Sequence, residues 1–291
     1  MDTEKMLLER ETQLAALAGY AEEARKAQGR LVFVAGEAGA GKSALVEQLQ
    51  QDLPGESWCW GACDGLATPR PLGPLFDIAS ETGGELLELC RADAPREHLF
   101  GALLRQLSEP GELHVVVVED IHWADEATTD LLRFLSRRIR DAPVLLIATY
   151  RDEGVSAGHP LQAVLGDLAS QRSVRRISLP MLSPRAVQIL VGDRGLDASA
   201  LYRLTGGNPF YVTEVVWSGM GEIPVSARDA VVARVSRLSA NARDVLDAAA
   251  LIGGRVGFPL LESVIGCPVP AVDELLAAGL LAGDSAGLRF R

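Results

Sequence analysis

Residues Gly36-Glu37-Ala38-Gly39-Ala40-Gly41-Lys42-Ser43 follow the spacing G-x-x-x-x-G-K-[ST], the Walker A pattern. The apolar run Leu31-Val32-Phe33-Val34-Ala35 stands just before it and predicts a buried strand. From Ala44 to Leu53 the apolar residues recur at helical spacing. A glycine-rich loop between a strand and a helix start is a demanding local geometry. It turns the chain tightly and leaves backbone N–H groups free to face an anion at the positive end of the helix dipole. In that arrangement the backbone of Glu37, Ala38, Gly39, Ala40, Gly41, Lys42, Ser43 and Ala44 cradles a polyphosphate. Lys42 reaches the β and γ phosphates, and the Ser43 hydroxyl helps to hold Mg²⁺.

Around this unit, strands and helices alternate. Strands are predicted at 31–36, 58–62, 114–119, 144–149 and 174–179. Val115-Val116-Val117-Val118 and Val144-Leu145-Leu146-Ile147-Ala148 are continuously apolar, as parallel strands covered on both faces must be. Helices are predicted at 7–29, about 96–108 and about 126–140. The fold class that follows is α/β, a P-loop NTPase with a parallel sheet over residues 1–180. Beyond Pro180 the pattern changes. Short helices punctuated by Gly192, Gly195 and the Gly206-Gly207-Asn208-Pro209 turn predict a small helical domain at 181–222. Ser183-Pro184 is a helix start with Pro at the first helical position. Helices at about 225–237, 239–251, 258–265 and 268–278 follow, then a strand at 280–282, a turn at 283–287 and a strand at 288–291. That is the outline of a winged-helix domain over 223–291. The last strand stops at Arg291 without a turn or polar tail, which predicts that the domain is truncated and the chain a fragment of a longer protein.

Charge and cysteine usage narrow the function classes. A formal net charge of −11 argues against a broad basic face for nucleic acid on this segment. Cys59, Cys63, Cys90 and Cys267 show no C-x-x-C pair, which speaks against structural zinc and for free thiols in a reducing compartment. With no membrane-length apolar run and no signal-peptide core, a cytoplasmic location is expected.

A second motif follows the valine run: Glu119-Asp120-Ile121-His122-Trp123-Ala124-Asp125. Apolar residues ending in an acidic pair form a Walker B pattern. A carboxylate at the C-terminal end of a parallel strand faces the crevice where ligands bind. One acid can hold Mg²⁺, and its neighbour can orient the attacking water. By position Glu119 is the metal-side acid and Asp120 the water-side acid, although either could take the metal role. His122 and Trp123 read as structural more than catalytic, and Asp125 as the N-cap of a helix beginning at Glu126. Thr149 and Arg151 stand at the same crevice edge, where Arg151 is either a γ-phosphate sensor or a solvated loop arginine. The Gly-Gly-Asn-Pro turn is explained locally as a helix C-cap followed by a Pro-led helix.

Taken together, Leu8-Glu9-Arg10-Glu11, the Walker A loop, the Glu119–Asp125 stretch, Thr149-Tyr150-Arg151 and Gly206-Gly207-Asn208-Pro209 resemble the STAND class of AAA-related ATPases. Within that class they are most similar to the large ATP-binding regulators of the LuxR type from bacteria. The resemblance implies a switch operated by ATP and ADP with Mg²⁺. ADP locks the nucleotide-binding, helical and winged-helix domains together, and exchange for ATP opens them and permits self-association. It implies that Leu8 and Arg10 lie against the adenine, that Pro209 touches the base, and that Arg151 is the sensor arginine. A C-terminal sensor and a DNA-binding domain would belong to the complete protein, so no direct nucleic-acid binding is expected of this segment. Two features depart from the family: Glu119 replaces the commoner Asp, and a histidine often found after the wing's Arg-Phe-Arg is absent because the chain ends at Arg291. Against the slow regulatory ATPase stand two alternatives. One is a nucleotide-binding scaffold without significant hydrolysis. The other is a P-loop phosphoryl transferase, for which the arginines of Ser173-Val174-Arg175-Arg176 would have to form a lid instead of entering a strand.

Overall fold

The two unbroken apolar runs become the strands that need cover on both faces. In the computed structural model β1 (Arg30–Ala35), β2 (Ser57–Ala62), β3 (His114–Glu119), β4 (Val144–Tyr150) and β5 (Val174–Ser178) form one parallel sheet in the order β2-β3-β4-β1-β5. The structure describes residues 7–66, 70–109, 111–153, 155, 158–218, 225–253, 255–266, 269–284 and 287–290. Every residue of β4 is buried, as are all but the first of β1. Helices packed on the sheet exclude water from its faces, so neither strand alternates. Leu31, Phe33, Val116, Val118, Leu146 and Ala148 share one core with flanking helices, each contributing roughly 1.5–3 kcal/mol if a large aliphatic or aromatic side chain.

The chain divides into two units. One comprises Leu7–Gly36 and Gly41–Leu179 and contains the parallel sheet. Its helices are α1 (Glu11–Arg25), α2 (Lys42–Asp52), α3 (Gly73–Thr82), α4 (Gly84–Arg91), α5 (Arg96–Leu107), α6 (Glu126–Arg138) and α7 (Pro160–Leu168). The first helix is shorter than the 7–29 expected. Glu9 takes a positive φ of 58° just before it and Ala27 one of 54° just after, and neither conformation continues a helix. The helix expected to reach about 140 stops at Arg138, and Ile139–Asp141 tighten into a 3₁₀ turn.

The second unit comprises Glu37–Ala40 and Pro180–Arg291. It contains α8 (Pro184–Val191), α9 (Ala198–Thr205), α10 (Pro209–Ser218), α11 (Val225–Val235) and α12 (Ala240–Ile252). After these come β6 (Arg255–Val256), α13 (Phe258–Ile265), α14 (Val269–Ala277), β7 (Leu281–Asp284) and β8 (Gly287–Phe290). Ser183 caps α8 as its sequence predicts, its Oγ accepting from Ala186 N–H at 3.2 Å. β6, β8 and β7 pair antiparallel in that order, over a core that includes Val245, Leu261, Leu275, Leu281 and Leu288. The two-residue β6 is too short for periodicity to reveal, and it takes the edge beside β8. The expected turn at 283–287 includes Ser285 and Ala286, which lie outside the described residues, as do Cys267 and Arg291.

Candidate functional site

β1 ends at Ala35, and Gly36 N–H still pairs with Tyr150 O on β4 at 3.3 Å. The glycine-rich loop then turns through Gly39 and Gly41, at φ 79° and 90°, and α2 begins at Lys42. Lys42 is 8% exposed, and its Nζ donates to Gly36 O at 2.8 Å, so the loop closes on its own lysine. Burial lowers the pKa of this ammonium. Nearby Asp120 opposes that shift, and Arg151 adds to it. Ser43, the next residue, donates its hydroxyl to Glu119 Oε1 at 2.5 Å. The metal-side hydroxyl and the metal-side acid chosen from sequence are therefore direct neighbours, although 76 residues separate them in the chain.

Asp120 follows β3 in the left-handed region, at φ 53° and ψ 42°. Asp is among the few side-chain-bearing residues that tolerate this conformation. Its N–H donates to Thr149 Oγ1 at 3.1 Å, and Thr149 is 1% exposed at the end of β4. This is possible because β4 lies between β1 and β3, so its end stands between the lysine loop and the acidic pair. Thr149 is thus placed as the backbone anchor of Asp120. Asp120 Oδ1 lies 3.7 Å from Nδ1 of the buried His122, whose ring is 4.5 Å from that of Trp123. The Arg151 guanidinium is over the Trp123 ring, 5.0 Å from its centroid. A Cβ on Gly65 would come within 2.8 Å of the same indole, so the ring is pressed against backbone. The reading of His122 and Trp123 as packing residues agrees with these contacts. Asp125 caps α6, accepting from Thr128 N–H at 3.1 Å, and a second of its oxygens accepts from Leu72 N–H at 3.2 Å.

Arg10 is 2% exposed at the start of α1, with Nη1 donating to Glu9 O at 2.9 Å, and burial lowers its pKa. Leu8, two residues earlier, is half-buried. Pro209 is also half-buried and opens α10. The residue that sequence reasoning missed is its neighbour. Asn208 is 7% exposed, and its Nδ2 donates to Ala38 O in the glycine-rich loop at 2.8 Å. Phe210 N–H donates to Gly39 O at 3.2 Å. Local turn chemistry accounted for the Gly-Gly-Asn-Pro sequence and the resemblance assigned only Pro209 to the nucleotide, so the bond from Asn208 to a loop carbonyl 170 residues away was not anticipated.

Among the described residues, no group of three or more His, Cys, Asp or Glu could hold a metal ion by itself. One hydroxyl and one or two carboxylates, completed by phosphates and water, are a donor set that suits Mg²⁺. Ser43, Glu119 and Asp120 supply such a set. No helix of the described residues is long and apolar enough to cross a membrane.

Comparison with known proteins agrees with this geometry. Residues 6–147 match the AAA ATPase domain family. An uncharacterized protein of Rhizobium meliloti (strain 1021) is 27% identical over 342 aligned residues, which cover 94% of this chain. The chain spans only 33% of that relative's length. Among solved structures, the Aeropyrum pernix ORC1 protein, crystallised in complex with DNA, is similar at a TM-score of 0.56 and 14% identity, covering 98% of this chain and 88% of its own. A Signal Transduction ATPase with Numerous Domains from Pyrococcus horikoshii, which carries a tetratricopeptide repeat sensor, is 18% identical. Its TM-score is 0.48, and the match covers 98% of this chain and 41% of that one. The match to the AAA ATPase domain family takes in the strand, the glycine-rich loop and the acidic pair, and these lie on a parallel five-stranded α/β sheet of the P-loop NTPase kind.

Proposed function

We propose that this chain is a nucleotide-operated switch module that binds ATP or ADP with Mg²⁺ and hydrolyses ATP slowly. The observation that carries the reading is the meeting of Lys42, Ser43, Glu119 and Asp120 at one edge of the sheet. Lys42 exchanges the Gly36 carbonyl for a phosphate oxygen, which offsets the burial of its charge. Ser43 and Glu119 present a hydroxyl and a carboxylate to the metal side. Bound Mg²⁺ would supply neutralisation of the charge that builds on the phosphates. Asp120, its backbone fixed by Thr149, orients the attacking water. Arg151 is the candidate sensor, its guanidinium held over the Trp123 face until a γ-phosphate competes for it.

In this reading residues 1–180 are the nucleotide-binding domain, 181–222 a small helical domain and 223–291 a winged-helix domain. The helix-rich Pro184–Ser218 stretch and the helices followed by an antiparallel β6-β8-β7 sheet support the division. Leu8 and Arg10 are assigned to the adenine. The parent protein is a bacterial regulator of the STAND class, LuxR type, that self-associates in its ATP state. Its sensor and DNA-binding domains lie outside this chain. Support for the longer parent is the short share of the Rhizobium relative that the chain covers.

The test is to denature the purified chain, identify any released nucleotide, and then measure ATP turnover with and without Mg²⁺. Slow Mg²⁺-dependent turnover that disappears in Lys42→Ala supports the switch. Tight ADP binding with no turnover under any condition would leave a binding scaffold instead. Transfer of phosphate to an acceptor other than water would make it a phosphoryl transferase.

A further inference from the structure

The Asn208–Phe210 turn grips the glycine-rich loop by its carbonyls. Asn208 Nδ2 donates to Ala38 O at 2.8 Å and Phe210 N–H donates to Gly39 O at 3.2 Å. Asn208 is 7% exposed, so bulk water does not compete for the first bond. Its Oδ1 meanwhile accepts from Phe210 N–H at 3.1 Å, which fixes the amide orientation. Gly39 has φ 79°, and a Cβ there would lie 2.7 Å from Asn208 Oδ1 and 2.9 Å from the Phe210 Cβ. Loop and turn are therefore in contact with no room for a side chain between them. Both belong to the same unit of the fold.

A trans peptide is planar, so a C=O and the following N–H point in opposite directions. Holding the Ala38 carbonyl toward Asn208 aims the Gly39 N–H the opposite way. Holding the Gly39 carbonyl does the same for Ala40 N–H, which closes the loop's own turn on Glu37 O at 3.1 Å. We infer that Asn208 is a positioning residue for phosphate recognition: its amide sets the direction in which the loop presents the Gly39 N–H. The inference rests on the nucleotide-binding reading above. It adds that the turn opening α10 acts on the phosphate end of the nucleotide, in addition to any contact Pro209 makes with the base. A ligand that engages the loop's N–H groups is thereby sensed by the helix that the same turn begins.

The experiment uses the full 291-residue chain. Asn208→Ser keeps an oxygen able to cap α10 and removes the donor that reaches Ala38 O. Asn208→Asp, near-isosteric and also without that donor, is the companion variant should Ser lower folding. ADP and AMP affinities are measured by competition, and thermal midpoints are recorded without nucleotide. Loss of one oriented hydrogen bond predicts about tenfold weaker ADP binding. AMP has no β-phosphate and should stay within about twofold of the wild type, well inside the energy of a single bond. Equal losses for ADP and AMP, or an unchanged ADP affinity in a folded variant, would overturn the inference. Failure of the wild-type chain to bind ADP would overturn the nucleotide-site reading itself, and this inference with it.

Discussion

Asp120 and Glu119 are adjacent in sequence yet have different partners, because the chain changes hand between them. Glu119 is the last residue of β3 and receives the Ser43 hydroxyl, whereas Asp120 is turned into left-handed backbone and tied to Thr149. The roles separate experimentally. Asp120→Asn should keep ATP binding and lose turnover by about 10² or more, the usual contribution of a positioned proton acceptor. Glu119→Gln should weaken the Mg²⁺ dependence of binding, read from an ATPase assay titrated with Mg²⁺. Retained turnover in Asp120→Asn would reverse the assignment. Thr149 offers a structural check. Thr149→Val removes the acceptor for Asp120 N–H and should cost about 1 kcal/mol or more in urea unfolding, while Thr149→Ser should cost less. Residue types were readable here: an acidic pair after four valines marks a strand end at the ligand crevice, and the Walker A loop upstream is what makes it a candidate for metal. The Thr149 contact was not, because a Thr at a strand terminus reads equally as a ligand sensor or a backbone acceptor.

At the scale of elements, the caps carry much of the design. Asp125 satisfies the first turn of α6 and reaches Leu72 N–H at the start of α3, so one carboxylate fixes two helices. Asp125→Ala is expected to cost about 1–2 kcal/mol, the range for a lost N-cap, seen as a lower urea midpoint at unchanged slope. Gly207 is constrained in a different way. It has φ 78°, and a Cβ would lie 2.2 Å from Leu182 O, while its own carbonyl receives Leu182 N–H at 2.9 Å. Gly207→Ala therefore combines backbone strain with a clash, and a loss of about 2 kcal/mol or more is expected by the same measurement. Sequence located these caps because capping is local: Ser183 and Asp125 each bond a residue three positions on. It overextended α1, since nothing in Glu9 or Ala27 announces a positive φ.

For the whole molecule, buried thiols set an alkaline limit. Burial pushes Cys59 and Cys63 up from 9.0 to about 12, with Asp125 and Asp120 adding to the effect at Cys63. The folded state holds these protons more tightly than the unfolded state. The corresponding stability is complete below about pH 9 and is lost progressively as the pH rises toward about 12. Unfolding midpoints measured from pH 8 upward should fall over that window, and Cys63→Ala should flatten the fall. Ligand linkage acts in the opposite direction. ADP at a hundredfold excess over its Kd should raise stability by about 2.7 kcal/mol, and Lys42→Ala should remove most of that gain.

The parallel α/β sheet, the loop that turns from β1 into α2 and the acidic pair at the end of β3 could all be read from the chain before it folded. These are written in short-range patterns: unbroken apolar runs, glycine spacing and caps, each spanning a dozen residues or fewer. Tertiary structure alone decided which strand lies between the two motifs. β4 pairs with both β1 and β3, and this brings Thr149 to Asp120 and sets Ser43 against Glu119. Strand order depends on which buried faces match across the finished sheet, and the periodicity of the single strands does not encode it: β1, β3 and β4 are alike in carrying a continuously apolar run. The same holds for Asn208 and Ala38. A side-chain amide and a backbone carbonyl are common groups, and only the folded chain shows that these two are partners.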